Sequence, residues 1–219
     1  MNQFADVTLV LDCSSSMTGI WSSTIDGING LIAEQRKAHG ELVFSVLTFS
    51  SEIKWERIAT PIQKIGRIGE REFQLRTGTR LNDALGEAIT TTTERISKAH
   101  PNNPPRVLIA VMTDGFENAS QNFTRGQIFK MILDKRRNAG WEFLFLGANQ
   151  DAIQSAVSLG IPATHALDFT STNESAQGAT GLLDAEITKF TSGMATGFFP
   201  SIEEPPAGTV PEGDTGHGT

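Results

Sequence analysis

Cysteine and basic residues are both scarce in this chain, and each shortage excludes a class of protein. Among 219 residues the single cysteine is Cys13, so an intrachain disulfide and a CxxC metal or redox site are impossible. The formal net charge is -7, and no basic stripe favours nucleic-acid binding. The first residues lack the regions of a signal peptide, and no apolar run approaches the roughly 20 residues of a transmembrane helix. We therefore expect a soluble cytoplasmic protein that binds neither nucleic acid nor membrane.

The chain does contain enough apolar sequence for one large domain, followed by a chemically different tail. Hydrophobic residues make up 38% of the chain, which suits a single buried core. Residues 199–219 are rich in Pro and Gly and contain no Lys or Arg, a composition that favours disorder. We predict one domain over residues 1–198 and a flexible acidic tail over residues 199–219. The acidic residues of the tail are Glu203, Glu204, Glu212 and Asp214.

Strand-like and helix-like segments alternate along the predicted domain. Residues 107–112 are apolar on both faces, as expected of a central parallel strand. Residues 42–49 and 53–58 are separated by a very short turn, so these two strands must be antiparallel. Charged residues make the second of them polar enough for the edge of a sheet. We therefore predict an α/β fold with a doubly wound, Rossmann-like six-stranded sheet, parallel except for one edge strand, with helices on both faces.

The boundaries of these segments follow from hydrophobic periodicity and from the Gly and Pro residues between them. The last predicted helix is expected to bury Leu182, Leu183, Ile187 and Phe190. The predicted strands are residues 4–11, 42–49, 53–58, 107–112, 141–146 and 164–168. The predicted helices are residues 18–38, 80–98, 124–138, 150–159 and 172–193.

The stretch Asp12-Cys13-Ser14-Ser15-Ser16 directly follows the first predicted strand. Ligands of open α/β sheets bind just beyond the carboxyl ends of the strands. Asp12, Ser14 and Ser16 offer only hard oxygen donors at that place, which suit Mg²⁺, Mn²⁺ or Ca²⁺ rather than zinc or copper. Taken alone, the stretch fits equally well a serine-rich turn whose hydroxyls cap the next helix.

Two further segments bring oxygen side chains to the same predicted edge of the sheet. Thr79 precedes the predicted helix at residues 80–98, and Asp114 follows the central strand. Asp12-x-Ser14-x-Ser16, Gly78-Thr79 and Thr113-Asp114-Gly115 together resemble the metal-ion-dependent adhesion site of von Willebrand factor type A domains. The order and spacing of these elements are similar to that family over about residues 4–193.

The resemblance implies a role for each oxygen side chain. Ser14 and Ser16 would bind the ion directly, and Thr79 would bind it directly in one state and through water in another. Asp12 and Asp114 would mainly hold metal-bound water. Because neutral hydroxyls leave much of the ion's charge uncompensated, the ion would attract an exposed Asp or Glu of a partner protein. The expected ion is Mg²⁺, with Mn²⁺ or Ca²⁺ as alternatives.

Residues beside these motifs are candidates for the rim that meets the partner. They are Met17, Arg80, Phe116 and Glu117. Glu117 is alternatively a helix cap, and Cys13 is expected to be a packed small residue. The family often has Gly where this chain has Ser15 and Thr77, but neither difference removes a ligand.

Three functions remain open at this point. The first is a metal-dependent protein-binding module, and the second is a structural component of a phage particle or cellular assembly in which the metal only stabilises loops. The third is a metal-dependent phosphatase with Asp12 as nucleophile, but such enzymes need a second Asp where this chain has Ser14. The runs at residues 112–118 and 145–151 resemble compact intracellular bacterial and phage members of the family, so a virion location is the alternative to the cytoplasm if a phage encodes the chain.

Overall fold

The computed structural model describes residues 4–38, 41–148 and 152–194, so the predicted tail lies outside the described residues. Six strands form one sheet in the order β3-β2-β1-β4-β5-β6. The strands are β1 Ala5–Asp12, β2 Leu42–Phe49, β3 Ile53–Pro61, β4 Arg106–Thr113, β5 Glu142–Ala148 and β6 Ala166–Phe169. The α-helices are α1 Trp21–Gln35, α2 Leu81–Ala99, α3 Arg125–Ala139, α4 Ala152–Ser158 and α5 Asn173–Thr191. Short 3₁₀ helices are Ser15–Ile20, Ile62–Lys64 and Ala163–His165.

Every strand pair in the sheet is parallel except β2 with β3, and β3 lies at one edge. The predicted doubly wound sheet with one antiparallel edge strand is therefore confirmed. The largest boundary differences are at β3, which extends to Pro61, and at the first helix. That helix was predicted to start at residue 18, whereas the chain first forms the 3₁₀ helix Ser15–Ile20 and becomes α-helical only at Trp21.

Alternating side chains of the central strands pack on opposite faces of the sheet. Leu9 and Leu11 of β1 belong to the core cluster beneath α1 and α5, whereas Val10 belongs to the cluster beneath α2 and α3. The helices α1 and α5 approach closely where Gly27 faces Thr180, because Gly27 has no side chain and any side chain there would overlap Thr180. Helices therefore cover both faces of the sheet, as predicted. None of the helices among the described residues is long and apolar enough to cross a membrane.

Local sequence signals fix the ends of individual helices. The side chains of Thr124 and Gln127 form a reciprocal capping box at the start of α3, and Gly140 ends that helix in the left-handed conformation. In α5, Leu183, Ile187 and Phe190 are buried, but Leu182 is 46% exposed. The prediction for Leu182 is therefore wrong, because the adjacent positions 182 and 183 of a helix point in different directions.

Strand register decides where the candidate site lies. In the β1–β4 pair, Leu11 is opposite Met112, so the next residues, Asp12 and Thr113, end the two strands side by side. Since β1 and β4 are parallel neighbours, the segments that follow them leave the sheet at the same edge. That edge also receives the segment leading into α2.

Candidate metal centre

Three segments meet at the carboxyl ends of β1 and β4. The segment after β1 pairs with the segment before α2, through a parallel bridge between Ser14 and Arg76 and a hydrogen bond from Arg76 N to Cys13 O at 2.9 Å. Gly78 then adopts a φ of 81°, a left-handed conformation that favours glycine. This turn delivers Thr79 to the start of α2. The third segment continues β4 through Asp114.

The oxygen side chains of two of these segments are within hydrogen-bonding distance of one another. Ser14 Oγ and Ser16 Oγ are 2.8 Å apart, and Ser16 Oγ donates to Asp114 Oδ1 at 2.6 Å. Asp12 Oδ1 accepts from the backbone N of Ser14 at 2.6 Å, and Asp12 Oδ2 accepts from Thr113 Oγ1 at 2.6 Å. Both carboxylates are therefore oriented by neighbouring hydroxyl or amide groups.

Gly115 leaves open the space that the oxygens surround. A Cβ atom built on Gly115 would lie 3.3 Å from Thr79 Oγ1 and 3.7 Å from both Asp12 Oδ2 and Ser16 Oγ. Oxygens from the segment after β1 and from the segment before α2 thus lie around a position on the third segment that no side chain fills. The five residues Asp12, Ser14, Ser16, Thr79 and Asp114, predicted from sequence as metal ligands, are therefore grouped at this edge.

The donor set fits a hard divalent cation. It combines two carboxylates with three hydroxyls, and Mg²⁺, Mn²⁺ and Ca²⁺ prefer oxygen ligands of this kind. Within the described part of the chain, no three His, Cys, Asp or Glu side chains cluster so as to hold a metal. Binding at this site therefore depends on the hydroxyls as well as on the carboxylates.

Burial disfavours the ionised forms of the two carboxylates of the site. Asp12 is fully buried, and this desolvation raises the pKa of its carboxyl to about 6, although hydrogen bonds from Thr113 and Ser14 oppose the shift. The negative charge of Asp114 adds a smaller increase. Burial also raises the pKa of Asp114, against the hydrogen bond from Ser16. A bound cation would favour the ionised form of both groups.

Thr79 is held in place by the loop that follows β4. Its backbone N donates to Asn118 Oδ1 at 2.9 Å, and its carbonyl oxygen accepts from Asn118 N at 3.1 Å. Thr79 is itself buried. These reciprocal bonds fix the distance between the Thr79 segment and the segment that carries Asp114.

Glu117 joins the same loop to α2, which corresponds to the helix-cap alternative. Its Oε2 accepts from the backbone N of Asn82 at 2.8 Å and from Ser120 Oγ at 2.7 Å. Its Oε1 accepts from the backbone N of Ala119 at 3.0 Å and of Ser120 at 2.7 Å. A carboxylate at a helix N-terminus satisfies amide donors that would otherwise have no partner.

Asp83, in the first turn of α2, is a structural residue of the site that sequence analysis missed. Its carboxylate accepts from the backbone N of Gln121, Asn122 and Phe123, each at 2.8 Å, and from the guanidinium of Arg80. Burial opposes the ionisation of Asp83, but these donors outweigh it and hold its pKa below the usual range. The available signal was an acidic residue in the first turn of a predicted helix.

The four rim candidates lie in different environments. Phe116 is 63% exposed, and Arg80 is mostly buried, with Nη1 donating to Ser51 O at 3.3 Å. Met17 is fully buried in the core cluster beneath α1 and α5, because the 3₁₀ helix that follows Ser14 turns its side chain inward. Met17 is therefore not part of the rim, and the prediction for it is wrong.

Cys13, between two of the candidate ligands, is buried. Desolvation, with smaller contributions from the charges of Asp12 and Glu56, raises the pKa of its thiol above the usual range. A thiol in this state is a poor nucleophile, which agrees with a packed small residue.

Comparison with known proteins identifies a family for most of the chain. A sequence model of the von Willebrand factor type A domain matches residues 6–180. Among curated protein sequences, none matches the chain.

Several solved structures share the fold at low sequence identity. Proximal thread matrix protein 1 of the mussel byssus, solved with zinc in its metal-ion-dependent adhesion site motif, has 16% identity and a TM-score of 0.56, over 83% of this chain and 46% of that chain. The pilus adhesin SpaC of Lactobacillus rhamnosus GG has 12% identity and a TM-score of 0.61, over 86% and 30%. The manganese-loaded TRAP protein of Plasmodium vivax has 16% identity and a TM-score of 0.53, over 81% and 72%. The chain thus spans less than half of the mussel and Lactobacillus proteins.

Proposed function

This chain belongs to the von Willebrand factor type A domain family, and we propose that it is a metal-dependent protein-binding module. Its oxygen cluster binds a divalent cation, with Mg²⁺ as the expected ion. The bound cation then attaches the domain to an exposed Asp or Glu of a partner protein. The residues assigned to the metal are Asp12, Ser14, Ser16, Thr79 and Asp114.

The observation that carries this proposal is the open position beside Gly115. Thr79 Oγ1 from the segment before α2, and Asp12 Oδ2 and Ser16 Oγ from the segment after β1, lie around this position on the third segment. In the proposed arrangement Ser14 and Ser16 supply neutral direct ligands, while Asp12 and Asp114 orient metal-bound water. Such a set leaves positive charge on the ion, and that charge is what a partner's carboxylate would complement.

The first experiment tests metal binding directly. Mg²⁺ and Mn²⁺ are titrated calorimetrically into the wild type, Ser14→Ala and Ser15→Ala. Loss of the Ser14 hydroxyl should weaken binding of both ions, whereas Ser15 is exposed and lies outside the oxygen contacts, so Ser15→Ala is the matched control. If the wild type binds neither ion, the proposal is wrong at its first step.

The second experiment separates the binding module from a structural role in which the ion only stabilises loops. Partner capture from native cell extract is compared with and without EDTA, using the wild type and Thr79→Ala. We expect EDTA to abolish partner capture. Thr79→Ala should reduce partner capture strongly and the affinity for Mg²⁺ only mildly, because Thr79 is the ligand assigned to change between states. Capture that survives EDTA would favour the structural role.

A further inference from the structure

A groove beside the candidate metal centre has no role in the proposed function. It lies between the edge strand β3, the first turns of α2 and the loop before α3, and it encloses about 260 Å³. We call it the side groove. It is smaller than the roughly 300–1,000 Å³ of pockets that bind drug-sized molecules, so its size suits a side chain. Its lining includes the apolar residues Ile53, Trp55 and Phe123 and the charged residues Arg80, Asp83 and Glu87.

The walls of the side groove are fixed by specific contacts. The ring of Phe123 packs against Gly86, where any side chain would overlap it. The backbone that leads into Phe123 is held by Asp83, which accepts from the N of Phe123 and of Asn122. On the opposite wall, Trp55 Nε1 donates to Glu87 Oε1 at 3.0 Å. A pre-formed groove of this kind loses little conformational entropy on binding.

The charges in the side groove are not balanced. Arg80 is matched by Asp83 through Nε at 3.0 Å and Nη2 at 2.8 Å. Glu87 has no such cation, because its Oε1 accepts from Trp55 and from Thr91 Oγ1, and its Oε2 accepts no hydrogen bond from the residues described here. The lining therefore carries one unmatched negative charge. A basic side chain complements it, with an apolar stem against Ile53 and a cationic head near Trp55 and Glu87.

The side groove and the candidate metal centre are linked through the start of α2. Arg80, in its lining, directly follows the candidate ligand Thr79. The strand β3 is two positions from β1 in the sheet, which corresponds to about 10 Å at the usual strand spacing of about 4.8 Å. An extended peptide covers about 3.3 Å per residue, so about three residues span this distance.

We propose that the side groove binds a Lys or Arg side chain of the same partner segment whose acidic residue binds the metal. The two partner residues are separated by about three positions, so the recognised segment is extended and carries both charges. This inference rests on the proposed function, because the acidic residue provides the first attachment point.

The test uses a random peptide library displayed on phage, with the domain immobilised in Mg²⁺ and bound phage eluted by EDTA. Peptides eluted from the wild type should be enriched in Asp or Glu followed or preceded by Lys or Arg two to four positions away. The variant Glu87→Gln keeps an acceptor for Trp55 but removes the charge, so it should lose the basic preference and keep the acidic one. Glu94→Gln is the matched control, since Glu94 lies on the same helix with a 63% exposed side chain outside the groove.

A selected peptide then gives a quantitative test. Replacing its basic residue by Gln should weaken binding to the wild type about two- to fivefold, the range typical of one exposed ion pair. The same replacement should have no effect on binding to Glu87→Gln, and Glu94→Gln should behave as the wild type. Enrichment of acidic residues without a spaced basic residue would overturn the side-groove inference and leave the proposed function intact. Failure to recover any EDTA-eluted peptide would overturn both.

Discussion

The two ends of β1 each carry a buried aspartate, and the two carboxylates contact different kinds of groups. Asp6 near the start of the strand and Asp12 at its end are both fully buried, and burial raises the pKa of both. Asp6 forms an ion pair with Arg95 of α2, with Nη1 and Oδ2 at 2.6 Å. Asp12 receives only hydroxyl and amide hydrogen bonds and forms no ion pair with any basic residue in the described part of the chain.

The difference shows which buried charge is structural. The charge of Asp6 has a cation of its own within the chain, the guanidinium of Arg95. The charge of Asp12 is left without a cation in a site lined by oxygens, and this is the arrangement expected where an external cation binds. Loss of the Arg95 side chain beside Asp6 and loss of the metal ion expected beside Asp12 should therefore have separate effects on the protein.

The largest effect should come from breaking the internal pair. In Arg95→Ala, Asp6 is left buried without its cation, and we expect a loss of about 3–5 kcal/mol in the free energy of unfolding. Urea denaturation with and without Mg²⁺ measures the loss, which should be the same in both conditions. The double variant Asp6→Asn/Arg95→Met removes both charges and should recover much of the stability. A loss below about 1 kcal/mol in Arg95→Ala would mean that the pair does not balance the charge of Asp6.

The next effect concerns the external cation and its dependence on pH. At a Mg²⁺ concentration one hundredfold above its dissociation constant at pH 7.5, the ion should stabilise the fold by about 2.7 kcal/mol. In the metal-free protein burial raises the pKa of Asp12 from 3.8 to about 6. The free energy of unfolding therefore falls as the pH rises between these two values, because Asp12 ionises in a buried place. Mg²⁺ binds the ionised form, and at pH 5 about one tenth of Asp12 is ionised. The same Mg²⁺ concentration should then stabilise the fold by only about 1.4 kcal/mol.

Thermal unfolding at both pH values, with and without Mg²⁺, tests this expectation. Asp12→Asn is the control, because it carries no titrating group at this position and should show little response to Mg²⁺ at either pH. An equal Mg²⁺ effect at pH 5 and pH 7.5 in the wild type would place the ion elsewhere.

A smaller effect is expected when Asp114, the second carboxylate of the candidate metal centre, is removed. Asp114→Ala deletes the group that accepts from Ser16 and should lower Mg²⁺ affinity about 10- to 100-fold, the usual cost of losing a residue that orients the ligands of a metal. Calorimetric titration measures the affinity. Asp26→Ala removes an exposed acid of α1 that pairs with Arg67, and this variant should bind Mg²⁺ as the wild type does. Equal losses in both variants would indicate a general charge effect.

The smallest effect should come from Glu117, which joins the loop after β4 to α2. Glu117→Ala removes the acceptor for Asn82 N and for the loop amides, and loss of such a cap costs about 1 kcal/mol. Because the loop also carries Asp114, Mg²⁺ affinity should fall, but less than in Asp114→Ala. Glu117→Gln retains an acceptor and should lie between Glu117→Ala and the wild type. If Glu117→Ala binds Mg²⁺ more weakly than Asp114→Ala does, Glu117 has a direct part in the site.

Sequence patterns predicted the architecture because buried apolar residues recur along the chain with the period of the strand or helix that carries them. The apolar run of β4 indicated a strand covered on both faces, and the short connection between β2 and β3 required an antiparallel pair. The three motif segments could be placed at one edge, because parallel strands all end on the same side of a sheet. The structure brings these segments together at that edge.

The same patterns failed where a side chain's direction depends on local geometry. Met17 directly follows Ser16 and Phe116 directly follows Gly115, yet Met17 is fully buried and Phe116 is 63% exposed. The sequence contains no signal for the 3₁₀ helix that turns Met17 inward. Leu182 and Leu183 are likewise the same residue type, and only the packing of α5 on α1 decides which of them is buried.

The sequence by itself determined the alternation of strands and helices, the single antiparallel edge strand and the set of oxygen donors carried by three segments. Tertiary structure alone decided that Arg95 neutralises Asp6, that Asp83 and Glu117 bind the amides of the loop after β4, and that Asp12 remains without a cation of its own. The physical reason is that secondary structure and burial depend on residues close together in the chain, whereas charge pairing depends on which distant residues meet when helices pack on the sheet.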